Sequence, residues 1–125
     1  MPISIRNAKY AKIGLRDLIQ FIGNSFDYSI KKNRYDIKMV EIGSYVGDST
    51  EVFANQVSHI TCIDPWKNDY DNNDAASYQY QMETVEAQFD KLLETYKNIR
   101  KLKMTSEEAV DKFKDNSLDF VYIDA

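Results

Sequence analysis

The feature that most constrains this chain is an alternation. Four short apolar runs, Ile37 to Ile42, His59 to Asp64, Ile99 to Met104 and Leu118 to Ile123, are separated by segments whose apolar residues fall at helical spacing. Strands that alternate with helices predict a parallel sheet covered on both faces, because each crossover helix must bury its apolar stripe against the sheet. Leu15, Leu18, Ile19, Ile22, Phe26 and Ile30 predict a first helix from about Leu15 to Ser29. Further helices are expected over Ser49 to Gln56 and over Met82 to Asn98, the latter marked by Val85, Phe89, Leu92, Leu93 and Tyr96. After the third run, Thr105 or Ser106 caps another helix, with Glu108 in its first turn and Phe113 closing its apolar face. The third strand is interrupted by lysines, as edge strands often are.

Between the first strand and the second helix lies VEIGSYVGDST, Val40 to Thr50, which holds two of the four glycines of the chain. Gly43 and Gly47 lack a Cβ, so the backbone can turn tightly and a ligand can approach it closely. Asp48 followed three residues later by Glu51 has the spacing of an N-cap with its capping-box partner. The turn therefore joins a strand to a helix start, where unsatisfied N–H groups favour negative charge. Phosphate is not the ligand this version suits. A dinucleotide fingerprint needs G-x-G-x-x-G and a phosphate loop ends G-K-[ST], whereas Gly43-Ser44-Tyr45-Val46-Gly47 has neither pattern. Glu41, a carboxylate between Val40 and Ile42 in a buried strand, would repel a phosphate but suits a cation or a hydroxyl donor, and needs a partner there.

At 125 residues the chain reads as one domain, with an N-terminal helical part over 1–36 and a sheet core over 37–125. Its net charge of −4 and a single basic run, Lys31 to Arg34, argue against nucleic acid as a partner. No long uncharged apolar run suggests a membrane span, and the N-terminus lacks the apolar region of a signal peptide. The single cysteine, Cys62, excludes an internal disulfide and fits a reducing compartment, so a cytoplasmic location and no membrane partner are expected. Cys62 sits within an apolar strand and reads as core.

Three carboxylates end three predicted strands: Glu41, Asp64 and Asp124. In an open α/β sheet the ligand crevice lies outside the carboxyl ends of the strands, so all three converge on it. Asp64 follows Gly43 by 21 residues, near the distance at which an acidic residue on the adjacent strand meets a ribose hydroxyl.

With these residues in place, the stretch from Ile37 to Ala125 resembles the class I S-adenosylmethionine-dependent methyltransferases, in particular the small-molecule O-methyltransferases of the catechol and macrocin types. The likeness rests on VEIGSYVGDST, on ITCIDPW at Ile60 to Trp66, on MTSEEAV at Met104 to Val110 and on LDFVYIDA at Leu118 to Ala125. It implies a Rossmann-like parallel sheet in the strand order 3-2-1-4, lacking the C-terminal strands of the complete methyltransferase fold. It also implies S-adenosylmethionine as cofactor. The methionine part would lie against Glu41, Gly43, Ser44, Tyr45 and Gly47, the ribose hydroxyls on Asp64, and the adenine near Trp66, Thr105 and Ser106. Asp124 matches the catalytic carboxylate that in metal-dependent members is the first ligand of a magnesium or calcium ion. The implied activity is methyl transfer to an oxygen of a small-molecule acceptor.

Two further expectations come from the residues themselves. Trp66, Tyr70, Tyr78 and Tyr80 lie in or beside a polar stretch without periodicity and suggest an aromatic lid. The fourth strand, with Leu118, Phe120, Val121, Tyr122 and Ile123, presents an apolar edge through which a second copy of the chain would pair, and so supports a rival reading as a non-catalytic binding or assembly module. His59, the only histidine, starts a strand and reads as structural, and a nicotinamide-binding fold is disfavoured by Glu41 and the absent middle glycine.

Overall fold

The structure is a computed structural model that describes residues 13–21, 36–68 and 81–124. Four parallel strands, β1 (Lys38–Ile42), β2 (His59–Asp64), β3 (Ile99–Lys103) and β4 (Phe120–Ile123), form one sheet in the order β3-β2-β1-β4. This is the Rossmann-like arrangement expected. A helix over 13–21, α1, precedes the sheet, α2 (Asp48–Ala54) and α3 (Met82–Thr95) follow β1 and β2, and α4 (Ser106–Ala109) with a 3-10 turn at Val110–Lys112 follows β3. The later part of the first predicted helix, the basic run at 31–34 and the tyrosines Tyr70, Tyr78 and Tyr80 lie outside the described residues.

Alternation along each strand sends neighbouring side chains to opposite faces. Met39, Ile60 and Cys62 meet Ile19 of α1, Phe53 and Ala54 of α2, and Val85 and Phe89 of α3 in the larger core. Val40, Ile63 and Leu102 meet Ala109 of α4 in the smaller. Each fully buried large side chain contributes about 1.5–3 kcal/mol through removal from water, so the face carrying α2 and α3 dominates stability. The buried residues of α3, Met82, Val85 and Phe89, repeat at three and four residues, as one apolar face requires. That helix stops at Thr95, three residues short of the expected Asn98, because Tyr96 turns to extended backbone. Asn98 then donates to the carbonyls of Ala54 at 2.8 Å and Val57 at 3.1 Å, fastening the end of α2 to the start of β3.

β4 pairs with β1 alone, in register Glu41 to Tyr122, and so forms a sheet edge among the described strands. Its apolar residues divide between two environments. Phe120 and Tyr122 pack edge-on against Phe53, with ring centroids 6.4 and 5.0 Å away, whereas Val121 and Ile123 are 43% and 68% exposed. Among the described residues no helix is long and apolar enough to cross a membrane.

Candidate functional site

The site begins where β1 ends. The Gly43 amide still donates to the Ile63 carbonyl of β2 at 2.8 Å, but φ of 91° turns the chain out of the sheet. Ser44 accepts from the Gly47 amide at 2.9 Å, which closes a tight turn, and Tyr45 and Gly47 both take left-handed backbone with φ of 51° and 93°. Gly47, not Asp48, is the N-cap of α2: its carbonyl accepts from the Glu51 amide at 2.9 Å, and no side chain caps the helix. The Asp48–Glu51 spacing imitates a capping box, but Asp48 already has helical geometry and is one residue too late to cap.

Gly47 is favoured by its dihedral and is closely packed as well. A Cβ there would lie 2.3 Å from Leu92 Cδ1 and 3.1 Å from Phe89 Cδ2, so α3 rests directly on the turn. The side of Gly47 that lacks a Cβ faces this helix and not a ligand.

Asp64 stands at the end of β2. Pairing Ile42 with Ile63 and with Ile123 sets Gly43, Asp64 and Asp124 at one level of three adjacent strands. The Asp64 carboxylate accepts from the Tyr45 amide at 3.0 Å on Oδ2 and from the Trp66 amide at 2.8 Å on Oδ1. The indole N–H of Trp66 donates back to the Tyr45 carbonyl at 2.8 Å. Trp66 corrects the expectation of an aromatic lid. The residue is only 3% exposed and its ring lies 4.8 Å from the ring of Phe89, while its backbone amide is the part that bonds to Asp64.

Glu41 lies beneath the turn with no exposed surface, and its carboxylate accepts from Ser49 Oγ at 2.5 Å and from Thr50 Oγ1. The partner that a buried carboxylate demands is thus a pair of hydroxyls from the first turn of α2. Burial pushes the Glu41 carboxyl above its ordinary value, and the Ser49 and Thr50 hydroxyls offset part of that rise. The sequence asks for a cation or a hydroxyl donor beside Glu41, and the fold supplies two hydroxyl donors from within the chain, so that this side chain joins β1 to α2. Ser49 and Thr50 were absent from the sequence-based site. Two hydroxyls directly after the Gly-Asp pair are the only signal that could have found them.

Next to this closed network stand two more buried polar atoms. Asp48 Oδ2 is buried and makes no hydrogen bond among the described residues, and Ser44 Oγ, in a residue 3% exposed, makes none of ordinary geometry there while its hydroxyl still draws the Glu41 carboxyl downward. Buried polar groups are nearly always paired, so a ligand group at this turn would complete them.

Thr105 and Ser106 sit beyond β3, whose Lys103 is level with Asp64. Of the two cap candidates it is Thr105 that caps α4. Its hydroxyl accepts from the Glu108 amide at 3.2 Å while its own amide donates to Glu108 Oε1 at 3.2 Å. No described hydrogen bond joins either residue to the glycine turn. Asp124, exposed, anchors through its amide to the Ile42 carbonyl at 2.8 Å. A magnesium or calcium ion takes six or more oxygen ligands. Among the described residues no three acidic, cysteine or histidine side chains come together to hold a metal, so Asp124 by itself does not fit one.

Residues 40–125 match a family described as methyltransferase domain. No curated protein sequence matches the chain significantly. Among solved structures, the chain is similar to a Staphylococcus aureus protein described as a caffeoyl-CoA O-methyltransferase, with a TM-score of 0.57 and 19% identity over 96% of this chain and 45% of that one. It is similar to the YcgJ protein of Bacillus subtilis, with a TM-score of 0.56 and 19% identity over 91% of this chain and 37% of that one. A precorrin 8W decarboxylase of Methanobacterium thermoautotrophicum gives a TM-score of 0.52 at 17% identity, covering 88% of this chain and 47% of that one. These likenesses concern the fold, and the chain spans less than half the length of each.

Proposed function

The chain belongs to the methyltransferase domain family, and from that premise we propose that it binds S-adenosylmethionine at the Gly43 to Gly47 turn and Asp64, for methyl transfer to an oxygen of a small molecule. The observation that carries this reading is the 3.0 Å bond from the Tyr45 amide to the Asp64 carboxylate. It joins the glycine turn to the acidic end of the neighbouring strand and fixes the distance between them. A carboxylate offers two acceptor oxygens side by side. Paired ribose hydroxyls match that arrangement.

The bound cofactor would supply a sulfonium-activated methyl group, whose transfer is an in-line displacement. The chain's contribution is alignment, since holding donor and acceptor in line replaces an improbable encounter with an intramolecular one. Asp48 Oδ2, buried and without a hydrogen bond among the described residues, and the neighbouring Ser44 Oγ would hold the polar end of the ligand. Asp124, one strand away from Gly43, is the proposed carboxylate on the acceptor side. The oxygen acceptor rests on the resemblance of the four motifs to small-molecule O-methyltransferases. Thr105 and Ser106 are retained in this reading as the border of the adenine.

Calorimetric titration tests the proposal. S-adenosylmethionine and S-adenosylhomocysteine are expected to bind the folded chain with measurable heat, and Asp64→Ala to weaken both at least roughly tenfold, as loss of a charged hydrogen-bonding partner does. No heat from either ligand, or unchanged affinity in the variant, overturns the assignment. The competing reading, an assembly module that pairs through β4, draws on the exposed Val121 and Ile123. Family membership favours the enzyme, and a concentration-dependent dimer that binds neither ligand would favour the module.

A further inference from the structure

We infer that Trp66 is a positioning residue for the cofactor site: it holds the glycine turn and Asp64 in one fixed geometry from within the core, without touching the ligand through its ring. The inference rests on the reading of Asp64 as the ribose-binding carboxylate. Three hydrogen bonds form a closed ring. The Tyr45 amide donates to Asp64 Oδ2, the Trp66 amide donates to Asp64 Oδ1, and the Trp66 indole returns to the Tyr45 carbonyl, at 3.0, 2.8 and 2.8 Å. Both oxygens of Asp64 are thereby engaged from the protein side, which prevents the carboxylate from rotating. Both backbone polar groups of Tyr45 are engaged as well.

The ring also explains two backbone conformations that are rare for residues with side chains. Tyr45 and Trp66 have φ of 51° and 42°, and each is held in that left-handed region by bonds of this ring. The indole in turn is held from behind. Phe89 of α3 lies against it at 4.8 Å, and Lys101 of β3 places its ammonium 5.1 Å from the ring centroid. Lys101 is kept there by Glu86 and Asp90 of α3, the latter at 2.7 Å. The position of α3 on β3 is therefore transmitted through Trp66 to the tip of β1 and the end of β2. A ligand group bridging the turn and Asp64 finds them already spaced, which lowers the ordering cost of binding.

Trp66 is the only tryptophan in the chain, so biosynthetic replacement of tryptophan by 3-benzothienylalanine changes this residue alone, exchanging the indole N–H for sulfur with the ring shape kept. Trp66→Phe serves as a second variant, and thermal melts identify the temperature at which each is folded. The full chain is titrated with S-adenosylhomocysteine and with its 2′-deoxy form, and exchange of the Tyr45 amide is followed by NMR without ligand. The expected result is a roughly tenfold loss of affinity for S-adenosylhomocysteine, one hydrogen bond's worth, with a smaller loss for the 2′-deoxy form and faster Tyr45 exchange. The preference for the ribose hydroxyl then shrinks, which a general loss of stability would not produce. An unchanged preference in folded variants, or unchanged Tyr45 exchange, overturns the inference. If the unmodified chain binds neither ligand the cofactor reading falls, and the ligand-free exchange measurement still decides whether Trp66 fixes the turn.

Discussion

Leu92 of α3 occupies the space that any side chain at Gly47 would need: a Cβ on residue 47 would stand 2.3 Å from Leu92 Cδ1. The contact is with the far end of a half-buried side chain, so Leu92 must shift before a side chain at residue 47 fits. Gly47→Ala places a methyl group into that contact and into backbone with φ of 93°. Strain in that region and overpacking each amount to about 1–3 kcal/mol, so a loss of about 2–4 kcal/mol in denaturant unfolding is expected. Adding Leu92→Ala removes the clash but not the dihedral strain. The double variant is therefore expected to lose less than the sum of the two single ones, and strict additivity would show that the contact carries no energy.

Glu41 makes stability depend on pH in a definite direction. Burial raises its carboxyl in the folded state above the ordinary 4.5, so between that value and the folded one the native chain holds a proton that the unfolded chain has released. Stability from this group is fully present below pH 4.5 and declines as pH rises through the folded value. Glu41→Gln keeps the shape and can hydrogen bond to Ser49 and Thr50 but does not ionise. Relative to the variant, the wild-type chain is expected to lose stability from mildly acidic to neutral pH, measured by denaturant midpoints at each pH. A difference that does not vary with pH would show that Glu41 is not perturbed.

Much of this was legible in the sequence because it follows from periodicity and from punctuation. Pro65 ends β2 after Asp64, and the apolar runs fix which strands exist, so Asp64 and Asp124 could be placed at one end of the sheet without coordinates, whereas Glu41 lies level with Cys62 and Tyr122, two residues deeper. The helix start at the glycine turn was not legible. A glycine N-cap in left-handed backbone leaves no side-chain signature, and Asp48 with Glu51 supplies a misleading one. Nor could local pattern show that Trp66 turns inward, since this depends on Phe89 and Lys101, more than twenty residues away in the chain. Thr105 and Ser106 are equivalent as caps by type, and only the reciprocal bonds with Glu108 select Thr105.

Cys62 gives a third test, of how closed the interior beneath the site is. The thiol has no exposed surface and lies 3.9 Å from Thr50 Oγ1, within the network that surrounds Glu41. Burial, reinforced by the Glu41 charge, pushes the thiol up to about 12, so almost none of it is thiolate near neutral pH, and thiolate is the reactive form. With a single cysteine in the chain, labelling by an aromatic disulfide reagent gives one signal. The native protein is expected to react only through opening of the core, at a rate that rises with denaturant in proportion to the open population. Glu41→Gln removes the neighbouring charge but leaves the burial, so it is expected to change the labelling rate through core stability far more than through the acidity of the thiol. Stoichiometric labelling of the folded chain within minutes at neutral pH would mean that β2 is open to solvent at Cys62, and that the carboxylate, hydroxyls and thiol under the turn do not form a closed interior.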